Sequence, residues 1–158
     1  MTEQYLKKLI ENMEQKTEVL QAIKESTNRQ AEAMKAEEPD WKAFDKMLDE
    51  KGELIDKLNG LDDAFNAMFD RIKDDLLANK AKYKTEINRL QEQIREVTSL
   101  STSIQAEELK NRDLVTNRIN ESRQKIKQDR RSVAVSGKYY NAMNKINFID
   151  PQLMDTKK

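Results

Sequence analysis

The chain has 158 residues, and its 29 Lys plus Arg are balanced by 29 Asp plus Glu, a formal net charge of zero. Charged and apolar residues each make up 37%, against roughly 25% and 45–50% in an average soluble domain, so any core is slender. There is no Cys and no His, which excludes disulfides, thiolate nucleophiles, Cys/His zinc sites and imidazole bases.

The absences extend to catalytic motifs and to turns. Gly occurs only at 52, 60 and 137, so neither a P-loop nor a dinucleotide-binding fingerprint can be written. A di-metal carboxylate bundle normally uses Glu-x-x-His, which this chain cannot supply. No enzyme activity, cofactor or metal is expected. Three Gly and two Pro stand where average usage gives about 19, which disfavours many-stranded sheets and barrels. No window approaches the ~18–20 apolar residues of a spanning helix, so no membrane insertion is expected. The first residues lack the apolar core of a signal peptide. Together with the absence of Cys, this points to a cytoplasmic protein.

The first element shows a heptad stripe. Leu6, Met13, Leu20, Thr27 and Met34 recur every seven residues, with Leu9, Lys16, Ile23 and Gln30 three residues after the first four. This is an a/d pattern with polar entries at Lys16, Thr27 and Gln30. Pro39 removes a backbone donor and biases Glu38 away from helix, while Asp40 can cap a new helix. Helices are therefore expected at about 3–36 and from about 40.

The second element carries Phe44, Leu48, Ile55, Leu58, Leu61, Phe65, Phe69, Ile72 and Leu76 on one face. Asn59-Gly60 could be a turn, but the stripe passes through it in phase, so a continuous helix to about 78 is expected. The third carries Tyr83, Ile87, Leu90, Ile94, Val97, Ile104, Val115, Ile119, Ile126 and Val133, densely to 104 and sparsely after. It is expected at about 81–132, following a turn at Ala78-Asn79-Lys80-Ala81. The stripes predict an all-α fold, an elongated antiparallel three-helix bundle or coiled coil over residues 1–137. An apolar C-terminal tail, 138–158, forms a short appendage.

Charge is uneven along the chain. Residues 32–75 hold 14 acids against 7 bases, and residues 110–138 hold 9 bases against 3 acids. The basic stretch Arg118, Arg123, Lys125, Lys127, Arg130 and Arg131 lacks interleaved aromatics, and the chain has no net positive charge. A solvated face complementing the acidic region is expected there, not a nucleic-acid footprint. Lys16, Lys51 and Lys80 fall on or near apolar stripes and are expected to snorkel, with stems buried and ammonium groups in water. Trp41 is expected to act as a hydrophobic staple or end cap. The helices do not match in length, so late-helix residues are candidates for binding another chain's helix.

Two stretches resemble the flagellar type III export chaperones of the FlgN and FliT type. Leu48-Asp-Glu-Lys51-Gly-Glu-Leu54-Ile55-Asp-Lys-Leu58 is similar to a Leu-x-x-Lys-x-x-Leu-x-x-x-Leu pattern early in their second helix. Ile104-Gln105-Ala-Glu107-Glu-Leu-Lys-Asn111-Arg-Asp-Leu114 is similar to their late-helix run. The resemblance implies a chaperone that binds the helical terminus of a hook-associated, filament-cap or filament subunit and prevents premature assembly. By that implication the client surface is Leu109, Leu114, Ile119 and Ile126, with Val133 next on the same stripe. A Tyr near the C-terminus contacts the export gate in such chaperones, and Tyr139 and Tyr140 are the nearest counterparts. The alternative is a homodimeric coiled-coil scaffold or adaptor without chaperone activity.

Overall fold

The computed structural model describes residues 1–125 and 137–138. Three long helices form an all-α bundle: α1 (Thr2–Met34), α2 (Trp41–Ala78) and α3 (Lys84–Lys125). At 1.5 Å per residue they are about 50, 57 and 63 Å long. All nine residues of the α1 heptad stripe are buried, the polar Lys16, Thr27 and Gln30 included. Helix α1 packs closely along both α2 and α3, whereas no Cα pair of α2 and α3 comes within 8 Å among the described residues. The bundle is thus built around α1, and α2 and α3 meet mainly through their side chains.

The α1–α2 break falls at the Pro39 segment. Asp40 is the N-cap of α2, extended at φ −81° and ψ 94°, and its carboxylate accepts from the Ala43 N–H at 3.1 Å. Replacing it leaves that donor without its side-chain acceptor, so Asp40→Ala should cost about 0.5–2 kcal/mol, read as a lowered urea midpoint at unchanged m-value. Helix α2 passes through Asn59-Gly60 without interruption, because Ile55, Leu58 and Phe65 hold one face against the core on both sides of it.

The α2–α3 connection is Asn79–Tyr83, slightly later than the sequence suggests. The Asn79 N–H still reaches Asp75 O at 3.0 Å, and the Tyr83 N–H turns back to Asn79 O at 3.3 Å. Asp75 fixes this corner. Its carboxylate accepts from Thr2 Oγ1 at 2.6 Å, from Asn79 Nδ2 at 2.6 Å and from the Tyr83 hydroxyl at 3.1 Å. The bonds from Thr2, Asn79 and Tyr83 hold its carboxyl below the ordinary aspartate range.

Two apolar clusters fill the bundle. The larger runs from the α2–α3 corner to mid-bundle and includes Leu6, Leu20, Ile23, Ile55, Phe65, Leu90, Ile94 and Ile104. The smaller lies at the other end and consists of Met34, Trp41, Phe44, Leu48, Val115 and Ile119. In that end cluster the Trp41 and Phe44 rings meet edge-on, at 5.9 Å and 79°. The Trp41 indole N–H donates to Ser122 Oγ at 3.1 Å, so Trp41 closes the end of the bundle.

Candidate partner-binding surface

Between the clusters lies a buried polar layer. Lys51 Nζ, from α2, contacts the Glu108 carboxylate of α3 and donates to Gln30 Oε1 of α1 at 3.1 Å. Thr27 Oγ1 donates to Glu108 at 2.9 Å, and Asn111 Nδ2 donates to the Thr27 carbonyl at 2.9 Å. Lys51, Glu108, Thr27, Gln30 and Asn111 are all buried, so each helix contributes to one hydrogen-bonded seam.

The expectation of snorkelling fails for Lys16 and Lys51, whose side chains are both 2% exposed. Each ammonium is shielded by its neighbours and turns to a carboxylate instead of to water. Lys16 pairs with Asp62 at 2.9 Å and stands 4.3 Å from the centroid of the Phe65 ring. Burial pushes its pKa down, opposed by Asp62. Burial also pushes Lys51 down, to about 7. Lys80, by contrast, is exposed.

Beyond the polar layer, late α3 presents its residues in three ways. Ile119 is 4% exposed and lies inside the end cluster with Val115. Leu114 is partly buried and packs against that cluster from its edge. Leu109 is 58% exposed and points away from it. Ile126, Val133, Tyr139 and Tyr140 lie outside the described residues. The structure thus joins Leu114 and Ile119 around one cluster and sets Leu109 apart. Late α3 is not left without internal partners by its greater length, because Met34, Trp41, Phe44 and Leu48 pack with Val115 and Ile119. Met34, Phe44 and Leu48 were visible in the sequence as stripe residues and Trp41 as an end cap. Their facing α3 follows from the fold-back at Pro39, which local periodicity does not reveal.

The basic stretch is tied into the fold at its start. The Arg118 guanidinium donates to the carbonyls of Ala36 and Glu37, where the chain leaves α1, and to Glu121 at 2.7 Å. Lys138 pairs with Asp45 at 2.9 Å and Asp49 at 2.5 Å, and these carboxylates, Asp49 foremost, raise its pKa. Lys138 is therefore met by two acids of early α2, whereas Arg118 is met by backbone carbonyls and by Glu121 of its own helix.

A family model described as FlgN protein matches residues 1–144. The chain belongs to the FlgN family. This is a family of flagellar export chaperones, and the three-helix bundle agrees with the resemblance read from residues 48–58 and 104–114. Searches of curated proteins and of solved structures give no significant match. The FlgN match spans all three helices, so α1, both clusters and the polar layer fall within it. Among the described residues, no helix is long and apolar enough to cross a membrane.

Proposed function

We propose that this FlgN-family chain is a cytoplasmic chaperone for a hook-associated, filament-cap or filament subunit. It binds the helical terminus of that client and keeps it from assembling before export. The family match over residues 1–144 carries this reading. The client surface is late α3, with Leu109 and Leu114 as accessible apolar residues on different faces, Ile119 behind Leu114, and Ile126 and Val133 continuing the Ile119 stripe at intervals of seven. Tyr139 and Tyr140 are the residues that meet the export-gate component.

The chemistry required is burial alone. An amphipathic client helix covers its apolar face against Leu109 and Leu114, each contact removing apolar area worth about 25 cal/mol per Å² before association costs. Covering that face also denies it to the client's own assembly partners, so protection and binding are one event.

The test is titration calorimetry of the full chain with purified hook-associated and cap subunits. One subunit should bind as a defined complex. Leu109→Glu and Leu114→Glu should each weaken it by about tenfold or more, while Arg95→Ala, on an exposed face of mid-α3, should not. Binding that ignores both substitutions would move the client surface elsewhere. A stable homodimer that takes up none of these subunits would replace the chaperone reading by the scaffold one.

A further inference from the structure

At the corner opposite the end cluster, the wider separation of α2 and α3 leaves an apolar trough. Phe69, Leu76 and Leu77 line it from α2, and Ile87 and Leu90 from α3, around a space of about 160 Å³. A space of about 150 Å³ is enough for a benzene-sized apolar group. Leu76 and Leu90 are buried and form the floor. Leu77 is 52% exposed at the rim, one of few large apolar side chains so exposed among the described residues. The trough extends over two turns of each helix, about 11 Å at 5.4 Å per turn. That length matches the i, i+3/i+4, i+7 anchors of a partner helix.

The rim has one sign of charge. Among the described residues, Lys73, Lys80 and Lys84 line the trough and no carboxylate does; the other polar lining residues, Asn88 and Gln91, are neutral. Asp70 stands beside Lys73 at 3.8 Å, so Lys73 is partly compensated. Lys80 lies within the turn and Lys84 is the first residue of α3, and both are exposed. The corner itself is held by the hydrogen bonds to Asp75, so the trough is presented on a fixed support.

We propose that this trough is a second docking surface, for an acidic amphipathic helix of another protein. Apolar side chains of that helix enter between Leu76, Leu77 and Ile87. Its flanking Asp or Glu meet Lys80 and Lys84. The apolar floor supplies most of the affinity, and the lysines set orientation and encounter rate. The surface is concave, which suits a rod laid between two helices better than the plane of a bilayer. It lies at the far end of α3 from Leu114 and Ile119 and does not depend on the client reading, so the two surfaces can be occupied together.

The test uses the full isotope-labelled chain and two synthetic helical peptides. Both carry Leu at i, i+3 and i+7; one is flanked by Glu and the other by Lys. The Glu peptide should shift amide resonances confined to residues 69–91, more weakly as salt rises. Leu77→Glu should weaken it by about tenfold, and the double variant Lys80→Glu, Lys84→Glu should reverse the preference between peptides. All three positions are exposed, and circular dichroism checks that the variants stay folded. Equal or tighter binding of the Lys peptide would overturn the proposal, as would shifts centred on 109–125 or no shift with either peptide. Concentration-dependent self-association through residues 69–91, or saturation of the trough by phosphatidylserine vesicles, would assign it to a second copy or a lipid surface instead.

Discussion

Below pH 7, where the folded Lys51 is charged, Lys51→Met alone should remove about 3–5 kcal/mol of folding stability, the usual cost of breaking a buried ion pair from one side. The substitution leaves the Glu108 carboxylate 1% exposed without the ammonium it contacts. Thr27 continues to donate to it, but a hydroxyl does not replace a cation. Total stabilities of about 5–15 kcal/mol are typical, so the loss should be plain in chemical denaturation. Lys51→Met combined with Glu108→Leu should recover most of it, because two desolvation penalties vanish with the pair. Gln30 limits the recovery: its Oε1 loses the Lys51 donor, and its Nε2 is already buried without a partner. Adding Gln30→Leu should therefore help further. A double variant as unstable as the single would show that the seam is worth more than its desolvation.

The same lysine sets a pH dependence. Its pKa falls from 10.5 unfolded to about 7 folded. Between these values the unfolded state binds the extra proton, so unfolding free energy rises with pH across the window. Below about 7 the penalty for charging the buried amine is fully present; above 10.5 it is gone. Lys51→Met should lack this rise, and equal slopes for wild type and variant from pH 7 to 10 would contradict it.

Much of this architecture was legible in the sequence because burial in a helical bundle is periodic. The α1 stripe needed only counting by sevens, and its polar entries Lys16, Thr27 and Gln30 marked where the core changes character. The continuity of α2 through Gly60 followed from phase alone. The polar seam was not legible, because it depends on which residue of α3 stands level with Lys51. Glu108 is one of 29 acids, and its selection is a matter of inter-helix register. Leu109 and Ile119 looked equivalent as late-helix apolar residues. They differ because one turns toward Trp41 and Phe44 and the other away, which depends on the fold-back after Pro39. The trough was hidden for a similar reason: Leu77 and Lys84 lie on different helices, and only the turn at 79–83 brings them to one rim.

Phe44→Ala should cost about 3–5 kcal/mol and show where the bundle opens. Phe44 is fully buried in a cluster of six residues, with the polar layer between it and the larger cluster. The end cluster has little apolar area in reserve, and it holds the last turn of α1, the first turns of α2 and the described end of α3. Amide exchange at 41–48 and 111–123 should therefore proceed through a sub-global opening of that end, and Phe44→Ala should accelerate it by the full stability change. Ile94→Ala, in the larger cluster, should cost about 2–5 kcal/mol in global stability yet leave exchange at those end amides unchanged, because they already open by the easier route. Equal acceleration everywhere in both variants would make the bundle one cooperative unit. The distinction bears on the proposed client surface. Ile119 is covered by Trp41, Phe44 and Leu48 in the closed bundle, so a client helix reaches it only when that end opens. A separately opening end lets Leu109 and Leu114 capture the client first and Ile119 join afterwards, without unfolding the part of the bundle that carries the trough.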